Sequence, residues 1–152
     1  MKFEFDSEEE MIKGAKKRAL KILERKDRTK KELIDKLTED GFPSSVIDIA
    51  IKYVESYHYI DDLRYAGNYI RFHQHEKGKF ALRTYLKNKG VTDEVIAAAM
   101  EETYEEDKKE VIEALLNKKH YDKETADIKT KQKITGFLLR RGFSMDEIRK
   151  YL

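Results

Sequence analysis

One eleven-residue pattern occurs three times in this chain of 152 residues. Each copy has a Leu, a Gly four residues later, an apolar residue directly after the Gly, and an Ile six residues after the Gly. The copies are L-T-E-D-G-F-P-S-S-V-I from Leu37, L-K-N-K-G-V-T-D-E-V-I from Leu86 and L-L-R-R-G-F-S-M-D-E-I from Leu138. Their glycines, Gly41, Gly90 and Gly142, are 49 and 52 residues apart. A period near fifty residues is typical of proteins built from repeated helical units.

Each glycine predicts the end of a helix. Gly readily adopts the left-handed conformation found just after a last helical turn, and the apolar residue that follows can pack back on that turn. Ser44, Thr92 and Ser144 come next, at positions suited to cap the following helix. The repeated segment is therefore expected to be a helix, a glycine stop, a cap and a second helix.

A further helix is predicted upstream of each copy. In the first unit, apolar residues recur at helical spacing after Ser7 and Glu10, which fit a capping box. Thr29 and Glu32 fit a second capping box, just before the first copy of the pattern. We therefore predict an all-α fold of three tandem three-helix units.

The three units are expected to stack, because a three-helix unit leaves apolar surface at its ends that a neighbouring unit can cover. An elongated, curved array follows from this stacking. The first unit is predicted over residues 1–60 with an acidic N-terminal lead, and the second over 61–106. The third is predicted over 107–152, with a short last helix.

Composition agrees with helices and bounds the class of protein. Charged residues make up 41% of the chain, against about 25% in average globular domains. One Pro and seven Gly are too few turn residues for an all-β chain of this length. There is no Cys, no apolar window long enough to span a membrane, and an N-terminus too acidic for a signal peptide. We expect a cytoplasmic protein that does not insert into membranes.

Charge is distributed unevenly, although the net charge is only +2. Residues 13–31 contain ten basic and two acidic side chains, and residues 64–89 contain seven basic side chains and one acidic. Residues 93–113 reverse the balance, with nine acids and two lysines. Basic stretches in two consecutive units favour a surface for a polyanionic or acidic partner. The alternative is a set of solvated helix faces whose lysine stems cover apolar surface.

Aromatic residues are interleaved with the second basic stretch, and two of them are Phe80 and Tyr85. Aromatic side chains beside lysines can stack on nucleic-acid bases. Helical spacing favours a place in the core for these two instead.

No motif for catalysis, phosphate binding or metal binding occurs in the sequence. His73 and His75 are two residues apart, so on a helix they point in different directions. Asp61 and Asp62 are acids at the start of a helix, where capping is the expected role. We predict a protein that is not an enzyme and that uses neither a metal nor a cofactor. Catalysis by residues that converge only in three dimensions is the alternative.

Four stretches of the sequence carry a family resemblance. The most specific is Y-H-Y-I-D-D-L-R-Y-A from Tyr57 to Ala66, between the first two predicted units. Around it stand R-T-K-K-E-L-I-D-K-L, K-G-K-F-A-L-R-T-Y-L-K-N-K-G-V and, near the C-terminus, F-L-L-R-R-G-F-S-M-D-E-I. In order and spacing these stretches resemble the RecX family, small regulators of the RecA recombinase, over nearly the whole chain.

The resemblance implies a non-catalytic monomer that binds the RecA filament. It further implies inhibition of the recombinase and ATPase activities of RecA in DNA repair, homologous recombination and the SOS response. Binding in the filament groove, capping of a filament end and competition for single- or double-stranded DNA stay open. Some relatives are longer, so the chain is either complete or a fragment. An autonomous nucleic-acid-binding module and a scaffold for an unrelated partner are the alternatives.

Ten basic residues are the candidate contacts with the RecA filament or with DNA. Their role would be charge complementarity to acidic protein surface or to phosphate. They are Arg25, Arg28, Lys30, Lys31 and Lys36 in the first unit, and Arg71, Lys77, Lys79, Arg83 and Lys87 in the second.

Overall fold

The computed structural model describes residues 7–152, and within that range it contains nine α-helices and no strand. The helices are α1 Glu8–Arg25, α2 Lys30–Glu39, α3 Ser44–Ser56, α4 Asp62–His73, α5 Lys79–Asn88, α6 Asp93–Thr103, α7 Lys109–Lys118, α8 Ile128–Arg140 and α9 Met145–Arg149. They form three consecutive groups of three, which confirms the all-α fold of tandem three-helix units. The unit boundaries stay predictions, and most of the predicted acidic lead lies outside the described residues.

Side-chain caps begin six of these helices. The capping residues, each of which accepts a hydrogen bond from the backbone N–H three residues on, are Ser7, Thr29, Asp61, Thr92, Asp127 and Ser144. Ser44 was expected to cap α3, and that prediction is wrong. Pro43 is the N-cap, because its carbonyl oxygen accepts the first helical hydrogen bond, from the N–H of Ile47 at 3.0 Å. Ser44 is therefore the first residue of the helix.

The glycines of the repeated pattern end α2, α5 and α8 as predicted. Gly41, Gly90 and Gly142 have φ values of 95°, 88° and 93°, in the left-handed region that disfavours a side chain. The residue after each glycine donates its N–H to the carbonyl oxygen of the Leu that opens the pattern, at 3.2, 3.1 and 3.2 Å respectively. This bond closes the end of each helix, and the Leu that accepts it is fully buried in all three copies.

Each group of helices encloses its own hydrophobic core. Two fully buried aliphatic residues mark each core: Leu33 and Leu37, then Leu82 and Leu86, then Ile112 and Leu138. In the first group α1 packs mainly on α3, and in the second α4 packs mainly on α6. Burial of one such side chain contributes roughly 1.5–3 kcal/mol, so each unit is stabilised mainly by its own three helices.

The second helices of successive units meet end to end at two joints. At the first joint, the Thr29 hydroxyl at the start of α2 donates to the carbonyl oxygen of Lys89 at the end of α5, at 2.6 Å. At the second joint, the Gly78 N–H at the start of α5 donates to the carbonyl oxygen of Arg141 at the end of α8, at 2.7 Å. The positive N-terminal end of one helix dipole thus lies on the negative C-terminal end of the next.

A buried polar cluster links the second unit to the segment that leads into the third. Gln74 is 3% exposed, and its Nε2 donates to the carbonyl oxygen of Thr103 at 3.1 Å. Its Oε1 accepts from the Glu105 N–H at 2.8 Å and from the Lys108 ammonium at 2.9 Å. Lys108 also lies 3.9 Å from the ring centroid of Tyr104. Burial lowers the pKa of Lys108, while the nearby carboxylates of Glu105, Glu147 and Glu106 act in the opposite direction. The Gln74 amide and the Tyr104 ring give the ammonium its direct contacts.

Candidate partner-binding surface

The predicted contact residues follow α1, α2, α4 and α5 and the loops between them. Arg25 ends α1, and Arg71 lies in the last turn of α4. The first joint brings basic residues of both units together, because Lys31 packs directly over Gly90, next to Lys89. The structure therefore joins the two basic stretches into one surface, here called the basic surface. Its role in binding stays a prediction.

Most of the ten cations already have a partner within the chain. Lys30 pairs with Glu55, Lys31 with Asp35, Lys79 with Glu106, Lys87 with Asp93 and Arg28 with Glu32, at 3.5, 2.8, 2.6, 3.4 and 3.6 Å. Arg71 donates to Asn68, and Lys77 to the Tyr69 hydroxyl. Ion pairs between exposed side chains contribute about 0–1 kcal/mol, so a partner's acidic groups can replace those of Lys30, Lys31 and Lys87 at little cost. The Arg28–Glu32 pair is only about one quarter exposed and is held more firmly.

Three of the ten cations have no side-chain hydrogen bond or ion pair within residues 7–152. These are Arg25, Lys36 and Arg83. Arg25 and Arg83 are exposed, and Lys36 is half-buried. They are the cations that can meet a partner without first breaking an internal contact.

Aromatic rings form a stacked cluster on the second unit. The rings of Tyr69 and Tyr85 are parallel within 2°, with centroids 4.0 Å apart, and Lys77 lies 5.7 and 5.8 Å from the two centroids. Burial and then a hydrogen bond to Tyr85 raise the pKa of the Tyr65 phenol. Tyr85 is half-buried and packs against the core of its unit, as predicted. The cluster holds Lys77 in place.

Phe80 is the clearest departure from expectation. A core position was predicted, but the side chain is 71% exposed. It borders a depression of about 600 Å³ between the second and third units, together with Lys79, Arg83, Glu106, Leu139 and Glu147. The sequence did carry a signal for this exposure. The residue ten places before the glycine is Lys31 in the first copy and Gln132 in the third, so polar residues occupy the matching position.

The two adjacent acids at the start of α4, Asp61 and Asp62, have structural roles. Asp61 caps α4 by accepting from the Arg64 N–H at 3.1 Å. Asp62 was expected to cap the same helix, but its carboxylate accepts from the N–H of Lys30 in the first unit, at 2.9 Å. Burial raises the pKa of Asp62. Asp62 therefore connects the first two units, Asp61 caps a helix of the second, and the two do not act as an acid–base pair.

Residues 7–152 contain no group of three or more His, Cys, Asp or Glu side chains placed to hold a metal ion. In the same range, no helix is both long enough and apolar enough to cross a membrane.

Three joined three-helix units define a helical-repeat protein. Family models described as the first, second and third three-helix domains of RecX match residues 15–53, 61–100 and 105–152. The chain belongs to the RecX family of regulatory proteins, as the resemblance predicted. The family is one of regulators and not of enzymes.

Relatives from distant bacteria match over most of the chain. The regulatory protein RecX of Clostridium acetobutylicum is 34% identical over 151 residues, which cover 95% of this chain and 70% of that protein. RecX of Vibrio campbellii is 34% identical over 136 residues, or 89% of this chain and 87% of the relative.

Solved structures show the same fold. The crystal structure of RecX from Lactobacillus salivarius superposes with a TM-score of 0.79 at 27% identity, over 93% of this chain and 94% of that one. A second crystal structure of a regulatory protein RecX gives 0.80 at 26% identity, over 92% and 72%.

Proposed function

We propose that this protein binds the RecA nucleoprotein filament and inhibits the recombinase and ATPase activities of RecA during DNA repair and recombination. Membership in a family of regulatory proteins is the observation that carries the proposal. The protein acts as a cytoplasmic monomer without a cofactor, and the ATPase belongs to its partner. Its contribution is an arrangement of charges on a repeat array.

The basic surface is the proposed contact. It combines side chains that have no internal partner with side chains held only by weak, exposed ion pairs. Both kinds can turn to carboxylates or phosphates of a filament. The unpartnered cations require no internal rearrangement, so Arg25 and Lys36 in the first unit are expected to respond most clearly to substitution.

The test follows ATP hydrolysis and strand exchange by RecA assembled on single-stranded DNA as the protein is added. We expect inhibition at or below one molecule per RecA protomer. The double substitution Arg25→Glu with Lys36→Glu should raise the half-inhibitory concentration by about tenfold, equivalent to about 1.4 kcal/mol. Lys129→Glu with Lys131→Glu is the matched control, because it makes the same charge change on exposed residues of the third unit. Absence of inhibition by the unaltered protein would refute the proposal.

An autonomous nucleic-acid-binding module is the second candidate, favoured by the density of cations in residues 13–31. Such a module would bind naked single-stranded DNA without RecA, and its affinity would fall steeply as salt rises. Titration of fluorescent single-stranded DNA at two salt concentrations separates the two functions. Tight, salt-sensitive binding to naked DNA, with inhibition lost whenever free DNA competes, would favour the module.

A further inference from the structure

Two exposed apolar side chains meet where the second unit joins the third. Phe80 at the start of α5 is 71% exposed, and Leu139 near the end of α8 is 43% exposed. They are brought together by the backbone contact of the second joint, where the Phe80 N–H donates to the carbonyl oxygen of Gly142 at 3.2 Å. Depressions of about 600 and 460 Å³ lie beside them, and both are lined by this same pair. We call this site the joint groove.

The acids of the joint groove are already engaged within the chain. Glu106 pairs with Lys79 at 2.6 Å. Glu147 accepts from the Ser144 N–H at 3.0 Å in the capping box of α9, and from the Tyr104 hydroxyl at 3.4 Å. Both carboxylates thus have partners of their own, and neither pairs with Arg83 or Arg140.

The arginines of the joint groove are free. Arg83 lines the larger depression and Arg140 the smaller, and neither side chain has a hydrogen bond or ion pair in the part of the chain that the structure describes. An arginine guanidinium binds a carboxylate with two parallel hydrogen bonds. The groove therefore combines two exposed apolar side chains, Phe80 and Leu139, with one arginine in each depression whose guanidinium has no partner within the described residues.

This combination fits protein better than nucleic acid. Leu139 is aliphatic and gives a base no flat surface for stacking, whereas an apolar side chain packs well against it. Buried apolar anchors with arginine neighbours are typical of the sites that dominate protein–protein affinity.

We propose that the joint groove takes an acidic segment of the protein partner. An apolar side chain of that segment packs between Phe80 and Leu139, while flanking carboxylates pair with Arg83 and Arg140. The inference rests on the proposed function, since the partner is then the RecA filament. It adds an apolar anchor on the second and third units to the basic surface of the first two.

The test compares Phe80→Ala with Phe72→Ala in the inhibition of RecA on single-stranded DNA. Phe72 is a matched control, because it is 81% exposed and borders a separate depression of about 270 Å³ between the first and second units. Phe80→Ala should raise the half-inhibitory concentration at least tenfold, about the effect of losing one interface anchor, and Phe72→Ala should leave it within about twofold. Binding of either variant to naked single-stranded DNA should match that of the unaltered protein.

Each outcome separates this inference from the function on which it rests. If the unaltered protein inhibits RecA and Phe80→Ala inhibits equally well, the groove is not the anchor, although the proposed function stands. If Phe80→Ala weakens binding to naked DNA by the same factor, the groove takes nucleic acid and the inference is overturned. If the unaltered protein does not inhibit, the proposed function fails first. Should Phe80→Ala lower the melting temperature, Arg83→Gln carries the same test, because that exposed side chain has no internal partner.

Discussion

Replacement of Gly78 by Ala is expected to open the joint between the second and third units. The φ of Gly78 is −84°, which any residue adopts, so Ala adds no backbone strain. Its Cβ would, however, lie 2.6 Å from the backbone nitrogen of Phe143 and still closer to the carbonyl group of Gly142. These are backbone atoms, so no side-chain rotation can relieve the overlap and the two helix ends must separate.

The cost of this separation has three parts. The hydrogen bonds from the N–H groups of Gly78 and Phe80 to the end of α8 are lost, at about 0.5–1.5 kcal/mol each. Ala is also a poorer N-cap than Gly, by about 0.5–1 kcal/mol. The sum is a loss of about 1.5–4 kcal/mol in the free energy of unfolding.

Urea denaturation measures this loss, and native-state hydrogen exchange locates it. Protection should fall at the start of α5 and in α8, while α1 to α3 keep theirs. Gly41→Ala is the control, because it has the left-handed φ of 95° but is exposed and lies at neither joint. It should cost about 1–2 kcal/mol, with protection lost only around α2 and α3. Two results would show that Gly78 does not hold the second joint together. One is a loss below about 1 kcal/mol for Gly78→Ala, and the other is a loss of hydrogen-exchange protection mainly in the first unit.

Two further predictions concern buried polar groups. Gln74→Leu should lower the free energy of unfolding by about 3 kcal/mol, because it removes the amide that binds the Lys108 ammonium and two backbone groups. Urea denaturation measures this loss. The control Gln132→Leu, at an exposed position, should show no comparable loss. Asp62 has a raised pKa because of burial, so the folded state holds its proton more tightly than the unfolded state does. The stability of the unaltered protein relative to Asp62→Asn should therefore fall as the pH rises from near 3.8 through the folded-state pKa, and a difference independent of pH would contradict this.

Features that depend on neighbours in sequence could be predicted. A helix end needs only a glycine and the residues of the preceding turn, and the stops at Gly41, Gly90 and Gly142 are confirmed for that reason. The capping box at Thr29 is equally local and was also correct. The prediction of Ser44 as an N-cap was wrong by one residue, because the carbonyl oxygen of Pro43 accepts the first hydrogen bond of the helix.

Contacts between units were not predictable in the same way. Phe80 has the spacing of a core residue within α5, and only a comparison with Lys31 and Gln132, at the matching position of the other copies, indicates that it is exposed. Asp62 has the position of a cap, but its carboxylate reaches across to a helix thirty-two residues earlier in sequence. Periodicity within one helix contains no information about either neighbour. The basic surface could be predicted from charge, whereas the joint groove required the relative placement of two units.

The two joints also fix the order of the units along the chain. The first is made by a side chain, since the Thr29 hydroxyl reaches Lys89. The second is made by backbone, since only the absence of a side chain at Gly78 lets that segment approach Gly142. In a chimera with the first and second units exchanged, Thr29 would take the place of Gly78 against the end of α8. That position has room only for glycine. Each unit is therefore specific for the one that follows it, and shuffled arrays of these units should assemble poorly even though every unit keeps an intact core.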